Sequence, residues 1–222
     1  MDNQGIGQSL EDIYRRLLDG YGPQQWWPAE GPFEMMVGAI LTQSAAWRNV
    51  EKAIANLKVA GAMSPAALRR LSRTELARLV RPSGYYNAKA RKLKSLAHWL
   101  GETHRDDLAQ MLAGEPVRLR GELLAVHGIG PETADSILLY GAGRPVFVID
   151  AYTRRILGRL GLAPASSSYS ALQALFTDNL PPNTKLFQEY HALLVALAKS
   201  ACRRQPRCSD CCLNDICPSG TS

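Results

Sequence analysis

Apolar residues recur at helical spacing along almost the whole chain, and this regularity excludes most folds. Leu10, Ile13, Tyr14, Leu17 and Leu18 fall on one helical face, with Gly20 as the expected stop. Phe33, Met36, Val37, Ile40 and Leu41 make a second stripe, and Val50, Ala53, Ile54 and Leu57 a third that ends at Gly61. Ser64-Pro65 reads as an N-cap and first helical residue. Ser72 and Glu75 have capping-box spacing, and Pro82 closes the helix they start. The same pattern predicts helices over 87–102, 106–113, 117–126, 131–142, 151–160, 169–180 and 184–201. Only Pro145–Ile149 reads as extended, and 164–170 is the clearest polar linker. The fold class that follows is all-α.

At 222 residues the chain can build one large or two small domains. A formal net charge of +6 suits a polyanionic partner without requiring one. No apolar run reaches the roughly 20 residues of a membrane span. The N-terminal stretch has neither the layout of a signal peptide nor that of a transit peptide. The expectation is a reducing, cytoplasmic setting, in which the cysteines are not structural disulfides.

The most informative segment is 117–142. A helical stripe with Leu119, Leu123, Leu124 and Val126 runs into His127-Gly128-Ile129-Gly130, and a second helix starts at Pro131. Two helices joined by Gly-apolar-Gly form a helix-hairpin-helix, with Ile129 plugging the joint. Its glycines would let backbone N–H groups at a helix start face a DNA phosphate. An ordinary αα-turn has the same outline. A dinucleotide loop does not fit, because Thr133 stands where a third glycine is needed and a helix precedes the turn. Shortly afterwards Val148-Ile149 delivers Asp150 to a helix start. An aspartate there serves as an N-cap. A carboxylate held at the edge of a DNA-binding surface also suits cleavage of an N-glycosidic bond, because it stabilises a cationic sugar and orients water. Residues 84–94 combine tyrosines with Lys89, Arg91, Lys92 and Lys94, which makes either a solvated charged face or a phosphate track.

All five cysteines lie near the C-terminus. Cys202, Cys208, Cys211 and Cys217 give C-x5-C-x2-C-x5-C, with Cys212 spare and able to replace Cys211. A zinc ribbon normally has two C-x-x-C pairs, whereas one pair flanked by single cysteines suits a [4Fe–4S] cluster better. Arg203, Arg204 and Arg207 sit in the same loop, where they could touch a DNA backbone.

In chain order LTQ (41–43), GYYNAKA (84–90), HGIGPETA (127–134), VID (148–150) and the cysteine tail resemble the endonuclease III branch of the helix-hairpin-helix (HhH-GPD) DNA glycosylases. The resemblance implies two helical domains. One, 30–144, is a six-helix barrel with the hairpin, and the other joins 1–29 to 145–222 and carries the cluster loop 202–217. It implies a monomer that acts on double-stranded DNA containing a damaged base, near the nucleoid. Asp150 is then the catalytic aspartate, and Gln43 the side chain that fills the gap left by a flipped-out base. His127, Gly128, Gly130, Thr133, Lys89 and the three tail arginines hold phosphates, with a monovalent cation at the hairpin as a further expectation. The first cysteine interval is one residue shorter than the family's usual one, which implies a tighter ligand loop.

The largest departure is Glu132. In bifunctional members a lysine stands there and forms a Schiff base with the sugar. Glutamate cannot do so, which implies a monofunctional enzyme that uses water; Lys89 is the lysine considered as a substitute. An acidic residue also simply complements the dipole of a first helical turn. Trp26-Trp27-Pro28, Trp47 and RPSGYYNAKA (81–90) are similar to the third class of bacterial 3-methyladenine DNA glycosylases, which also has a glutamate at the lyase position. Indole faces attract a cationic methylated purine, although the same tryptophans would serve as core. The other readings are a lyase-competent endonuclease III acting on oxidised pyrimidines, a mismatch glycosylase, and a non-catalytic damage binder.

Overall fold

The computed structural model describes residues 3–164 and 166–220 and is all-α, with no strand among those residues. They gather into two compact units, Met1–Trp26 with Pro145–Ser222, and Trp27–Arg144. The first boundary falls between Trp26 and Trp27 and so divides the Trp-Trp-Pro motif. None of the described helices is long and apolar enough to cross a membrane.

The first unit contains α1 (Asn3–Tyr21), α10 (Ala151–Arg159), α11 (Tyr169–Thr177) and α12 (Thr184–Ser200). α12 packs on α1 and α10. Its core is aromatic. Phe147 stacks on Phe176, with centroids 3.6 Å apart and planes 4° from parallel, and meets Phe187 and Tyr190 edge-on. The Tyr190 hydroxyl donates to Leu10 O at 2.9 Å, which ties α12 to α1.

Phe147, Val148 and Ile149 are buried, yet they form no strand, since no second strand among the described residues lies beside them. Side chains of α11 replace that partner. Gln173 Nε2 donates to Phe147 O at 2.7 Å, and Ile149 N donates to the Tyr169 hydroxyl at 3.3 Å. Ala165 of the polar linker lies outside the described residues, and Ser168 at the linker's end caps α11. The stop of α1 also differs from expectation. The helix runs through Gly20 and turns at Gly22, where φ is +68°.

The second unit contains α2 (Pro32–Leu41), α3 (Trp47–Val59), α4 (Pro65–Arg70), α5 (Arg73–Leu79), α6 (Tyr86–His104), α7 (Leu108–Ala113), α8 (Pro116–Ala125) and α9 (Pro131–Ser136). α9 continues into a π turn, Ile137–Gly141. The long α6 is the spine, with α2, α4, α5 and α7 packed on it. Local chemistry sets the boundaries: the Ser64 side chain caps α4, and Ser72 and Glu75 form a reciprocal capping box on α5.

Phe147 makes three aromatic contacts while fully buried, so Phe147→Ala should cost about 3–5 kcal/mol of stability, read as a lower urea midpoint. An unchanged midpoint would show that this aromatic cluster does not hold the unit together.

Candidate functional site

The hairpin is built by packing as much as by its glycines. Ile129 is 5% exposed and closes the joint, with its N–H on Val126 O. Gly128 has φ +89°, and a Cβ there would lie 2.2 Å from Lys92 Cγ. The stem of Lys92 therefore lies across the turn, and only glycine fits beneath it. The N–H groups of Gly128 and Gly130 have no protein acceptor among the described residues, so they remain available to a ligand. His127 is exposed beside them, and Glu132 is exposed in the first turn of α9. Below the turn, Arg120 Nε and Nη2 donate to the two oxygens of Asp135 at 2.6 and 3.1 Å. Asp135 is fully buried, so this pair locks α8 to α9, and losing Arg120 would strand a buried charge at a cost of about 3–5 kcal/mol.

Gln43 is tied to the hairpin. Its Nε2 donates to Gly128 O at 3.1 Å and to Thr133 Oγ1 at 3.0 Å, while its Oε1 accepts from Lys92 Nζ at 2.5 Å. The Thr133 side chain is turned inward: it is 5% exposed and accepts from Gln43. Gln43, expected with Trp47 as a wedge, has both ends of its amide hydrogen-bonded in this structure.

Lys89 is the plainest correction. It is 2% exposed, and its Nζ donates to Leu41 O at 2.8 Å and Ser83 O at 2.6 Å. Burial, reinforced by the charge of Lys92, pushes its ammonium down to about 8. It joins the end of α2 to the start of α6.

Trp27 and Trp47 meet edge-on at 5.6 Å, and Tyr140, carried on the π turn, meets Trp27 at 5.4 Å. Gly38 leaves room for the Trp27 indole, whose Nε1 would lie 3.2 Å from a Cβ there. Tyr140 escaped sequence reading because the change from α to π pitch shifts where it points. Pro28 is exposed. Trp26 belongs to the first unit, where Lys199 Nζ lies 5.7 Å from its ring centroid.

Asp150 is the N-cap of α10, and its Oδ1 accepts from Thr153 N at 2.7 Å. Its Oδ2 lies 3.8 Å from Nε2 of His191, a buried residue of α12 that sequence reading missed. Burial holds the His191 imidazole below its usual pKa, against the opposing pull of Asp150.

Cys202, Cys208, Cys211 and Cys217 line one cleft together with Arg159. Cys212 lies outside it and packs on α1, where a Cβ at Gly20 would be 3.2 Å from Cys212 Cβ. Gly20 thus leaves space for a cysteine rather than ending a helix. The loop is bound to α10 by arginines: Arg155 donates to Cys202 O, while Arg159 Nη1 reaches Cys202 Sγ at 3.2 Å and Arg203 O at 2.6 Å. Arg16 of α1 grips both oxygens of Asp215 at 2.9 Å. Arg203, Arg204 and Arg207 are exposed, though Arg203 Nε donates to Lys199 O. Among the described residues no three Cys, His, Asp or Glu side chains converge on a point that would hold a single metal ion.

A helical hairpin with free N–H groups, a capping aspartate and a four-cysteine loop define a class of DNA repair protein. Residues 37–182 match the HhH-GPD superfamily of base excision DNA repair proteins. A Methanocaldococcus jannaschii protein provisionally named a DNA repair glycosylase is 42% identical over 96% of this chain and 97% of its own. Endonuclease III of Escherichia coli K12 is 28% identical over 84% of this chain and 83% of its own. Among solved structures, the H. pylori 3-methyladenine DNA glycosylase MagIII bound to 1,N6-ethenoadenine has a TM-score of 0.74 at 28% identity, covering 90% of this chain and 98% of its own. A trapped endonuclease III–DNA covalent intermediate shares the fold, with a TM-score of 0.83 at 21% identity over 97% of each chain. The chain belongs to the HhH-GPD superfamily. Within it, the protein is a base excision repair DNA glycosylase.

The two hairpin glycines should respond differently to alanine. Gly128→Ala meets both a positive φ and the Lys92 stem and should lose about 2 kcal/mol or more. Gly130→Ala meets open space at ordinary φ and should stay within about 0.5 kcal/mol of the parent. Equal melting temperatures for the two variants would contradict this account of the turn.

Proposed function

We propose that the protein is a monofunctional glycosylase that removes alkylated purines of the 3-methyladenine type and leaves the DNA strand intact. The observation that carries the reading is Glu132, exposed in the first turn of α9 where bifunctional relatives are expected to place a lysine. A carboxylate cannot form the imine through which a strand is cut. The burial of Lys89 removes the lysine considered as its substitute. Identity of 28% with MagIII, and the Trp27–Trp47–Tyr140 cluster, support a base whose methylation gives it positive charge. Pro28 completes the proposed base-holding set.

In this mechanism the free N–H groups of Gly128 and Gly130, with His127 and the tail arginines Arg203, Arg204 and Arg207, hold phosphates. The Asp150 carboxylate opposes the positive charge that develops on the sugar as the N-glycosidic bond breaks, and Oδ2 can orient the attacking water. The methylated base leaves readily, so no strong general acid is required. For the wedge, Tyr85 is better placed than the committed Gln43. It is 73% exposed, held at φ +45° at the entry to α6, one turn before the Lys89 that bonds to Leu41.

The four cleft cysteines suit a [4Fe–4S] cluster better than one zinc. A zinc ribbon normally supplies two C-x-x-C pairs, and this loop supplies one, Cys208 and Cys211. Arg159, a charged donor at a ligand sulfur, suits a negatively charged group. Such a cluster would be held by Cys202, Cys208, Cys211 and Cys217 and would fix the arginine-bearing loop.

A panel of duplexes with single lesions, assayed with and without alkali, tests the function. Alkylated purine should be released, with strand breaks appearing only after alkali, and release of oxidised pyrimidines alone would overturn the assignment. Asp150→Asn should lower base release by about 10²–10³-fold while DNA binding survives; unchanged turnover would contradict the mechanism. Iron per chain should fall in Cys202→Ser and Arg159→Ala but not in Cys212→Ser. Equal iron in all three would refute the ligand set.

A further inference from the structure

Asp150 has two oxygens and only one of them is fixed. Oδ1 accepts the Thr153 N–H at 2.7 Å, as any N-cap would. That single bond is all that holds the carboxylate against rotation about Cβ–Cγ, and in this mechanism it is Oδ2 that meets a sugar or a water. Facing it is Nε2 of His191 at 3.8 Å. The imidazole is 5% exposed and stands next in sequence to Tyr190, whose hydroxyl is anchored on Leu10. It therefore approaches Asp150 from a rigid wall.

We propose that His191 is a positioning residue for base removal, holding the free oxygen of Asp150 through its imidazole N–H. The inference rests on the reading of Asp150 as the carboxylate that acts on the sugar. The choice of residue has a physical logic. A lysine or arginine there would orient the carboxylate but neutralise the charge that must stabilise a cationic transition state. A buried, uncharged imidazole donates a hydrogen bond and leaves that charge intact. At 3.8 Å the contact is electrostatic, and closing by less than 1 Å brings it within hydrogen-bond range, a change of the kind catalytic pairs undergo when substrate binds.

The test compares His191→Gln with His191→Met. The two replacements are similar in length, but only Gln keeps a terminal N–H. Single-turnover base release and DNA affinity are measured in the full-length protein, with melting temperature as the check on folding. His191→Met should slow release by about 10–100-fold with DNA affinity within about twofold of the parent, and His191→Gln should recover most of the rate. Equal rates in both variants would show that His191 only fills space, and a His191→Met rate equal to the parent's would remove it from the mechanism. Either result beside an inactive Asp150→Asn overturns this inference alone. An active Asp150→Asn overturns the reading beneath it.

Discussion

Helix α10 is tied at both ends, and the first unit depends on that. Its N-terminus carries Asp150, whose Oδ1 satisfies a backbone N–H that would otherwise be orphaned. Its C-terminal half carries Arg155 and Arg159, which grip the carbonyls and a sulfur of the cysteine loop. A nine-residue helix is only about 13 Å long. A cofactor that orders the loop would thus brace, through one rigid rod, the element that presents the aspartate. The cysteines would then have a mechanical role as ligands, through α10.

The second unit solves a different problem, which is keeping the hairpin turn open and rigid together. The N–H groups of Gly128 and Gly130 bond to nothing within the turn, whose own hydrogen bond is Ile129 N–H on Val126 O. It is held from behind. Lys92 crosses Gly128, Gln43 bonds to Gly128 O and Thr133, and Arg120–Asp135 pins the flanking helices. Buried polar groups do this work where apolar packing alone would leave the turn free to slide.

Much of this was legible in the sequence. Helices came from a 3.6-residue period, the Ser72–Glu75 box from local spacing, and the Asp150 cap from its place after Val148-Ile149. What could not be read depends on contacts distant in sequence. A lysine reads as surface, and nothing near Lys89 announces the carbonyls of Leu41 and Ser83 that make its burial tolerable. Gln43 read as a free side chain because its partners lie 85 and 90 residues away. His191 lies forty-one positions from Asp150 in sequence and becomes its neighbour only when α12 packs on α10. Gly20 read as a stop because glycine usually is one, whereas Gly22 turns the chain and Gly20 makes room for Cys212.

We propose that Glu132 gives this enzyme base removal without strand cleavage. Borohydride trapping tests it most directly, because reduction makes any Schiff base between protein and sugar permanent. The account predicts no covalent protein–DNA adduct from the native protein on lesion-containing or abasic duplex, and an adduct once Glu132→Lys supplies an amine. A trapped adduct from the native protein would contradict it.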